Sequence, residues 1–243
     1  MKVTYLNHSG FLLEWEHCCW LIDYYKGGIP ELDPQKNILV FCSHSHADHF
    51  NPAIFALFAE YPSVTYIFSN QIRRAYNKLQ KQAGEHPLPP VQFLKSRTDT
   101  CLSLETGSSI QIHTLQSTDC GCAFLLQYEN KTIYHAGDLH WWLWPEESEA
   151  WNKKMTSDYK KEMEYLKNQD IDLAFTPLDP RQKQAYALGI NYLLETASVK
   201  HLFPMHFWND FSIIDTYMRE YKVPKETCFH TLKQDGQTIE IML

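Results

Sequence analysis

Short apolar runs separated by turn residues set the rhythm of the N-terminal half of the chain. Residues 3–6, 11–15 and 20–23 read as three strands. Asn7-His8-Ser9-Gly10 turns between the first two, and Glu16-His17 between the second and third. Residues 38–41 form a continuous apolar run, which predicts a buried strand, and 64–68 alternate and are β-branched. Five further runs, 91–94, 101–104, 110–115, 123–128 and 132–135, have turn residues between them and read as strands of one sheet. Helical signals fill 52–59 behind Asn51-Pro52 and extend to about Gln82 behind Ser69-Asn70. Later, 146–166, 180–197 and a segment capped by Ser212 to Tyr221 read as helices. Between and after them lie strands at 173–176, 201–203, 228–232 and 238–242. Each half runs strands, then helices. That order suits an α/β fold in which two mixed sheets lie face to face with helices outside, an αβ/βα sandwich.

The 243 residues contain no repeat, linker or low-complexity tract, so one domain over 1–243 is expected, and 44% hydrophobic residues suffice for a large core. The net charge of −7 and the absence of any Lys/Arg block longer than Arg73-Arg74 argue against nucleic acid as a partner. No apolar run approaches the ~18 residues of a membrane span, and no secretory h-region precedes the first strand. Seven cysteines, an odd number with Cys18-Cys19 adjacent, predict reduced thiols and a cytoplasmic location. The expected partner is a small-molecule substrate, and a homo-oligomer is compatible.

The chemistry concentrates where the 38–41 strand ends. His44, His46, Asp48 and His49 crowd the loop between that strand and the helix opened by Asn51-Pro52. His44 and His46 lie two apart, so in extended chain they point the same way. Asp48 and His49 come as the chain turns and can point elsewhere. Two pairs aimed differently suit two adjacent divalent ions: zinc first, with manganese or iron as alternatives.

This His-x-His-x-Asp-His pattern after a strand resembles the signature of the metallo-β-lactamase superfamily. The nearest resemblance is to the branch of metal-dependent hydrolases that includes the ascorbate-6-phosphate lactonase type. The resemblance implies a four-layer αβ/βα sandwich and further ligands at strand ends. Asp138, in Ala136-Gly137-Asp138, corresponds to an aspartate bridging both metals, and His206 to a last histidine beside Asp48 and His49. The family's remaining histidine falls on Ser117, so a donor is missing or replaced. Asp119 is the expected replacement, with Cys120 a softer alternative and His113 a plain strand residue. His8, in His8-Ser9-Gly10-Phe11, resembles an N-terminal motif of the branch and is expected near the metals. Tyr24 belongs to a loop that tends to overhang the site in this superfamily. Asp23 reads either as a carboxylate orienting a ligand histidine or as a strand-end turn residue.

Behind Asp138 stand His140, Trp141, Trp142 and Trp144. Trp141 and its neighbours read either as packing or as a wall that dries the site, and His140 as a proton donor to a leaving group. Arg181, assisted by Lys183, is a candidate for holding an anionic group, and Asp179 for a helix cap. Two cations sharing a water lower its pKa from ~15.7 towards ~7, and the hydroxide attacks carbonyl carbon or phosphorus. The expected function is therefore a metal-dependent hydrolase acting on a small anionic ester or lactone, with Asp48, Asp138, His140 and His8 in catalytic roles. The alternatives are a phosphodiesterase or nuclease of the same fold, and a metal-binding protein without turnover in which the change at Ser117 has cost the first site.

Overall fold

The computed structural model describes residues 1–104 and 107–243, and builds two mixed sheets of seven strands each. The first contains β1 (Lys2–Asn7), β2 (Gly10–Glu14), β3 (Cys18–Ile22), β4 (Asn37–Cys42), β5 (Val64–Ser69) and β6 (Val91–Leu94) in that order. The second contains β7 (Asp99–Ser103), β8 (Ser109–Gln116), β9 (Cys122–Tyr128), β10 (Lys131–His135), β11 (Asp170–Pro177), β12 (Ser198–Met205) and β13 (Cys228–Phe229). The last strand, β14 (Thr238–Glu240), crosses back and pairs with β1 at the edge of the first sheet. The helices are α1 (Ile54–Leu57), α2 (Arg73–Gln82), α3 (Glu149–Met163), α4 (Leu188–Thr196) and α5 (Ser212–Glu220).

The alternation along β4 explains the layers. Leu39 and Phe41 join the core between the sheets, with Phe11, Trp20, Phe124, Phe175 and Phe203. Ile38, Val40 and Cys42 face a second apolar cluster with Ile54, Phe55, Ile72 and Tyr76, which lie under α1 and α2. A strand covered on both faces reads as an unbroken apolar run, which is why 38–41 lacks the usual period of two.

Parallel pairing then gathers the strand ends. Ile22 pairs with Phe41, so Asp23 and Ser43 emerge together. His135 pairs with Phe175, and Pro177 with Met205, so Asp138, Asp179 and His206 leave the second sheet at one end. Two glycines let the loops close on each other. Gly121 has φ +72°, and a Cβ there would stand 1.9 Å from the Ser43 carbonyl oxygen. Gly137 has φ +51°, and its Cβ would stand 2.7 Å from that of Ser43. Gly121→Ala is therefore expected to cost about 3 kcal/mol or more, read as a lowered urea midpoint at unchanged m-value.

Four expected helices change at their ends. The 52–59 segment keeps helix only over α1, because Asn51 Oδ1 accepts from Ala53 N in a turn before it. The 146–166 helix starts at Glu149, where Ser148 Oγ accepts from Trp151 N, and ends in a 3-10 turn. The 180–197 helix is broken: Lys183 at φ +54° interrupts a 3-10 stretch, and regular helix begins at Leu188. Ser212 is the first residue of α5, and Asp210 Oδ1 accepts from Ser212 N and Oγ in the capping role. The strands expected at 228–232 and 238–242 are shorter, Cys228–Phe229 and Thr238–Glu240.

Candidate metal centre

The loop after β4 is wound tightly by its own backbone. His49 N and Phe50 N both donate to the His46 carbonyl, at 3.0 and 2.9 Å. Asn51 ties the loop to the chain after β3, with Asn51 N donating to Tyr24 O and Nδ2 to Tyr25 O. His8 and His206 reach the same point with left-handed backbones, φ +55° and +64°. His206 N donates to His8 O, which joins the two strand ends directly.

Two donor sets result. One is His44, His46, Asp119 and Asp138; the other is His8, Asp48, His49 and His206. Within each, one donor atom per residue lies within 4.8 Å of all the others. Asp138 stands between the sets. Its Oδ2 is 3.4 Å from His44 Nε2, while Oδ1 is 3.2 Å from His49 Nε2 and 3.4 Å from His206 Nε2. Asp119, the expected replacement for the donor missing at Ser117, lies 3.7 Å from His46 Nδ1, and both side chains are about half exposed.

The surrounding residues fix which nitrogen of each imidazole stays bare. Ser43 Oγ donates to Asp23 Oδ2 at 2.6 Å, so it accepts from His44 Nδ1 at 3.0 Å. His49 Nδ1 donates to Asp23 Oδ2 at 2.8 Å, and His206 Nδ1 to Asp179 Oδ2 at 3.0 Å. All three therefore turn Nε2 towards Asp138, the arrangement that orients ligating histidines. His8 Nε2, His44 Nε2, His49 Nε2 and Asp138 Oδ1 are buried without a hydrogen-bond partner among the described residues. Buried polar atoms are seldom left so. Bare imidazole nitrogens and carboxylate oxygens at this spacing fit divalent cations.

Electrostatics agrees with the geometry. Burial alone would raise Asp138, but His49, His206 and His44 hold it well below the usual carboxylate range. Burial would lower His49, but Asp138 and Asp23 hold it well above its ordinary value. Burial pushes His140, His8 and His44 down to about 4. Those three titrate near 6.5 in an unfolded chain. Between pH 6.5 and about 4 the unfolded chain then binds more protons, so stability falls as pH falls. His49 runs the other way, its contribution being full below 6.5 and fading at higher pH. The first group outnumbers the second. The metal-free protein should be less stable at pH 5 than at pH 7 by several kcal/mol, seen as a lower urea midpoint; an equal or higher midpoint at pH 5 contradicts this balance.

A cavity of about 550 Å³ opens over the donor sets, within the usual range for small-molecule sites. Asp119, Asp138 and His206 form its floor, and Trp142, Trp144 and Trp208 its walls, with Arg181 at one side. Trp141 does not line it. Its Nε1 donates to Thr156 Oγ1 and its ring stacks on Tyr159, so the wall is formed by its neighbours instead. Tyr24 is also absent from the lining: it is buried in the cluster under α1 and donates to Gly27 O. His140 is fully buried behind Trp142, with Nε2 2.7 Å from Gln182 Oε1. Gly189 covers it so closely that a Cβ there would stand 2.3 Å from the ring, so His140 has no path to a leaving group. Lys183 points to Glu146, and His113 pairs with Asp99 away from the cavity. Ser117 is buried and accepts from Asp119 N, which aims the Asp119 carboxylate.

Sequence reasoning missed Trp208, whose ring lies tilted against His8 and edge-on to His206. It also took Asp179 for a cap alone. Asp179 does accept from Arg181 N, but it also accepts from His206 Nδ1 and from Arg181 Nε and Nη2.

Residues 2–153 match the family model of the beta-lactamase superfamily domain. A UPF0173 metal-dependent hydrolase from Desulforamulus reducens is 32% identical over 145 residues, 57% of this chain. That match spans 62% of the relative's length. A UPF0173 metal-dependent hydrolase from Pelotomaculum thermopropionicum is 24% identical over 234 residues, covering 91% of this chain and 90% of the relative. Among solved structures, Igni18, a metallo hydrolase of Ignicoccus hospitalis, is similar with a TM-score of 0.63 at 16% identity, covering 99% of each chain. No helix among the described residues is long and apolar enough to cross a membrane.

Proposed function

Because this chain belongs to the beta-lactamase superfamily, we propose that it is a metal-dependent hydrolase of a small anionic ester or lactone. The observation that carries this reading is the position of Asp138 between two donor sets whose bare nitrogens face it. A bound pair of divalent cations supplies Lewis acidity and a water that ionises near neutral pH. His44, His46 and Asp119 would hold one ion, His49, Asp48 and His206 the other, and Asp138 both. His8, beside Asp48 at 3.2 Å, completes the second set or contacts the substrate. The nitrogen-rich second set favours zinc, while the two carboxylates of the first accept manganese or iron equally well.

The residues around the ions supply recognition. Four tryptophans, Trp142, Trp144, Trp151 and Trp208, line the cavity, and apolar walls of this kind strengthen charge interactions beside them. Arg181 lies over the Trp208 ring at 4.8 Å, and its bonds to Asp179 use Nε and Nη2. The other edge of its guanidinium fork remains for a carboxylate or phosphate of the substrate. Lys154, the other cation of the lining, is paired with Asp158. An aromatic cavity of about 550 Å³ whose lining includes Asp48, Asp119, Asp138 and Asp158 supports a small molecule over a polynucleotide. The seven cysteines, all unbridged, are compatible with a reducing compartment.

Elemental analysis of the purified protein, followed by a screen of lactones and phosphodiesters with each metal, tests the reading. Two ions per chain with lactone turnover are expected. One ion and no turnover would favour a binding protein, and preferred turnover of phosphodiesters the nuclease reading. Arg181→Ala should raise KM for an anionic substrate about tenfold and leave that of a neutral analogue unchanged. Equal effects on both would remove Arg181 from anion recognition.

A further inference from the structure

A third group of metal-ligating side chains lies away from this cavity, near the outer edge of the second sheet. His201 of β12 is the register partner of Cys228 in β13. His230 follows two residues later, so in extended chain its side chain shares a face with that of Cys228. His230 N donates to the Leu202 carbonyl, which continues the strand pairing through this residue. His201 Nδ1 stands 3.0 Å from His230 Nε2, and the donor atoms of all three residues lie within 4.8 Å of one another.

The chain itself sets the state of His201. Its Nε2 is 3.0 Å from the Met242 carbonyl oxygen, which can only accept. Nε2 therefore carries the proton, and Nδ1 of the neutral ring accepts from His230 Nε2, a proton that a cation would displace. Ligating imidazoles are commonly oriented by such a bond from the far nitrogen to a carbonyl. The ring of His230 is held by Phe203, stacked on it at 4.1 Å and 14°.

We propose that His201, Cys228 and His230 form a separate zinc site, with a fourth position open to water. Two imidazoles and a thiolate are a donor set zinc takes readily. A tetrahedral ion with Zn–N bonds of ~2.0–2.1 Å separates two ligand nitrogens by about 3.3 Å, so the observed 3.0 Å needs only a small opening. His206 follows the last residue of β12, five residues beyond His201 and roughly 16 Å along the strand, so this ion is distinct from the pair proposed above. Zinc here would hold the two-residue edge strand β13 against β12. Through Met242, just past β14, it would also tie the end of the first sheet to the second.

Cobalt(II), added to the full chain after removal of metals by a chelator, tests the site through sulfur. The catalytic donors are nitrogen and oxygen, with Cys120 the nearby thiol to control for. A thiolate-to-cobalt charge-transfer band in the near ultraviolet is expected, with an intensity of one thiolate per chain. It should be lost in Cys228→Ser, whose side chain is exposed and whose fold should persist, and retained in Cys120→Ser. Zinc should also raise the thermal midpoint of wild type more than that of Cys228→Ser. A wild type without the band, a band that survives Cys228→Ser, or one lost only in Cys120→Ser overturns the proposal. None of these readings depends on hydrolysis, so the site can fail while the catalytic reading stands, and the reverse.

Discussion

Asp138→Ala should lower kcat/KM by about three orders of magnitude or more and bring bound metal from two ions to below one per chain. The reason is position as much as charge. Asp138 is 4% exposed, and its two oxygens point to opposite donor sets. Without it, His44, His49 and His206 crowd together with no carboxylate between them. His49 also loses the larger of the two charges that raise it. The half-exposed Asp119 serves only the first set, so its loss should empty one site and spare the other. Elemental analysis of Asp138→Ala beside wild type checks the argument. Unchanged occupancy would remove Asp138 from the bridging position.

Asp23→Asn should fold and yet lose metal affinity by about tenfold to a hundredfold. Asp23 is fully buried and touches no donor set's open face. Its Oδ1 accepts from Ser43 N at 2.7 Å, and its Oδ2 from Ser43 Oγ and His49 Nδ1. An asparagine can keep the first bond. Its amide nitrogen, however, would face His49 Nδ1 with hydrogens of its own. His49 must then accept at Nδ1 and carry its proton on Nε2, the atom needed for a cation. The metal-free protein should also lose about 3 kcal/mol, since a buried charge partner has gone. Zinc titration with a competing chelator, together with urea unfolding, separates the two effects. An Asn variant that binds zinc as wild type does would show that the His49 tautomer is not set by Asp23.

The strands were legible because burial on both faces leaves an apolar run, as at 38–41, and because turn residues mark the ends. The histidine loop was legible because so many ligand-type residues directly follow a core strand. Asp138 and His206 stand at strand ends in the sequence, but their roles came from the resemblance to the metallo-β-lactamase superfamily. The rest depended on long-range contacts that no local pattern carries. Asp179 accepts from its neighbour Arg181, as a cap should, but its bond to His206 joins strands distant in sequence. Trp141 and Trp142 are adjacent, and only the path of the irregular segment after Asp138 decides which one faces the cavity. His140 looked available because nothing in sequence reveals that Gly189 would close over it. Trp208 was missed because three left-handed residues, at 206, 208 and 209, turn the chain where periodicity gives no direction.

The spread of the donors along the chain bears on how the protein matures. The set with His46 is finished once Asp138 has been translated, but the set with His49 waits for His206. Asp138 itself is anchored only when β10 has found β11, which is synthesised later. At ~5–20 residues per second of synthesis, most of the polypeptide has left the ribosome before either ion can be gripped firmly. The cations therefore join a nearly finished scaffold and do not template it. Protein produced in metal-starved cells should accordingly be recoverable in folded form and loaded afterwards.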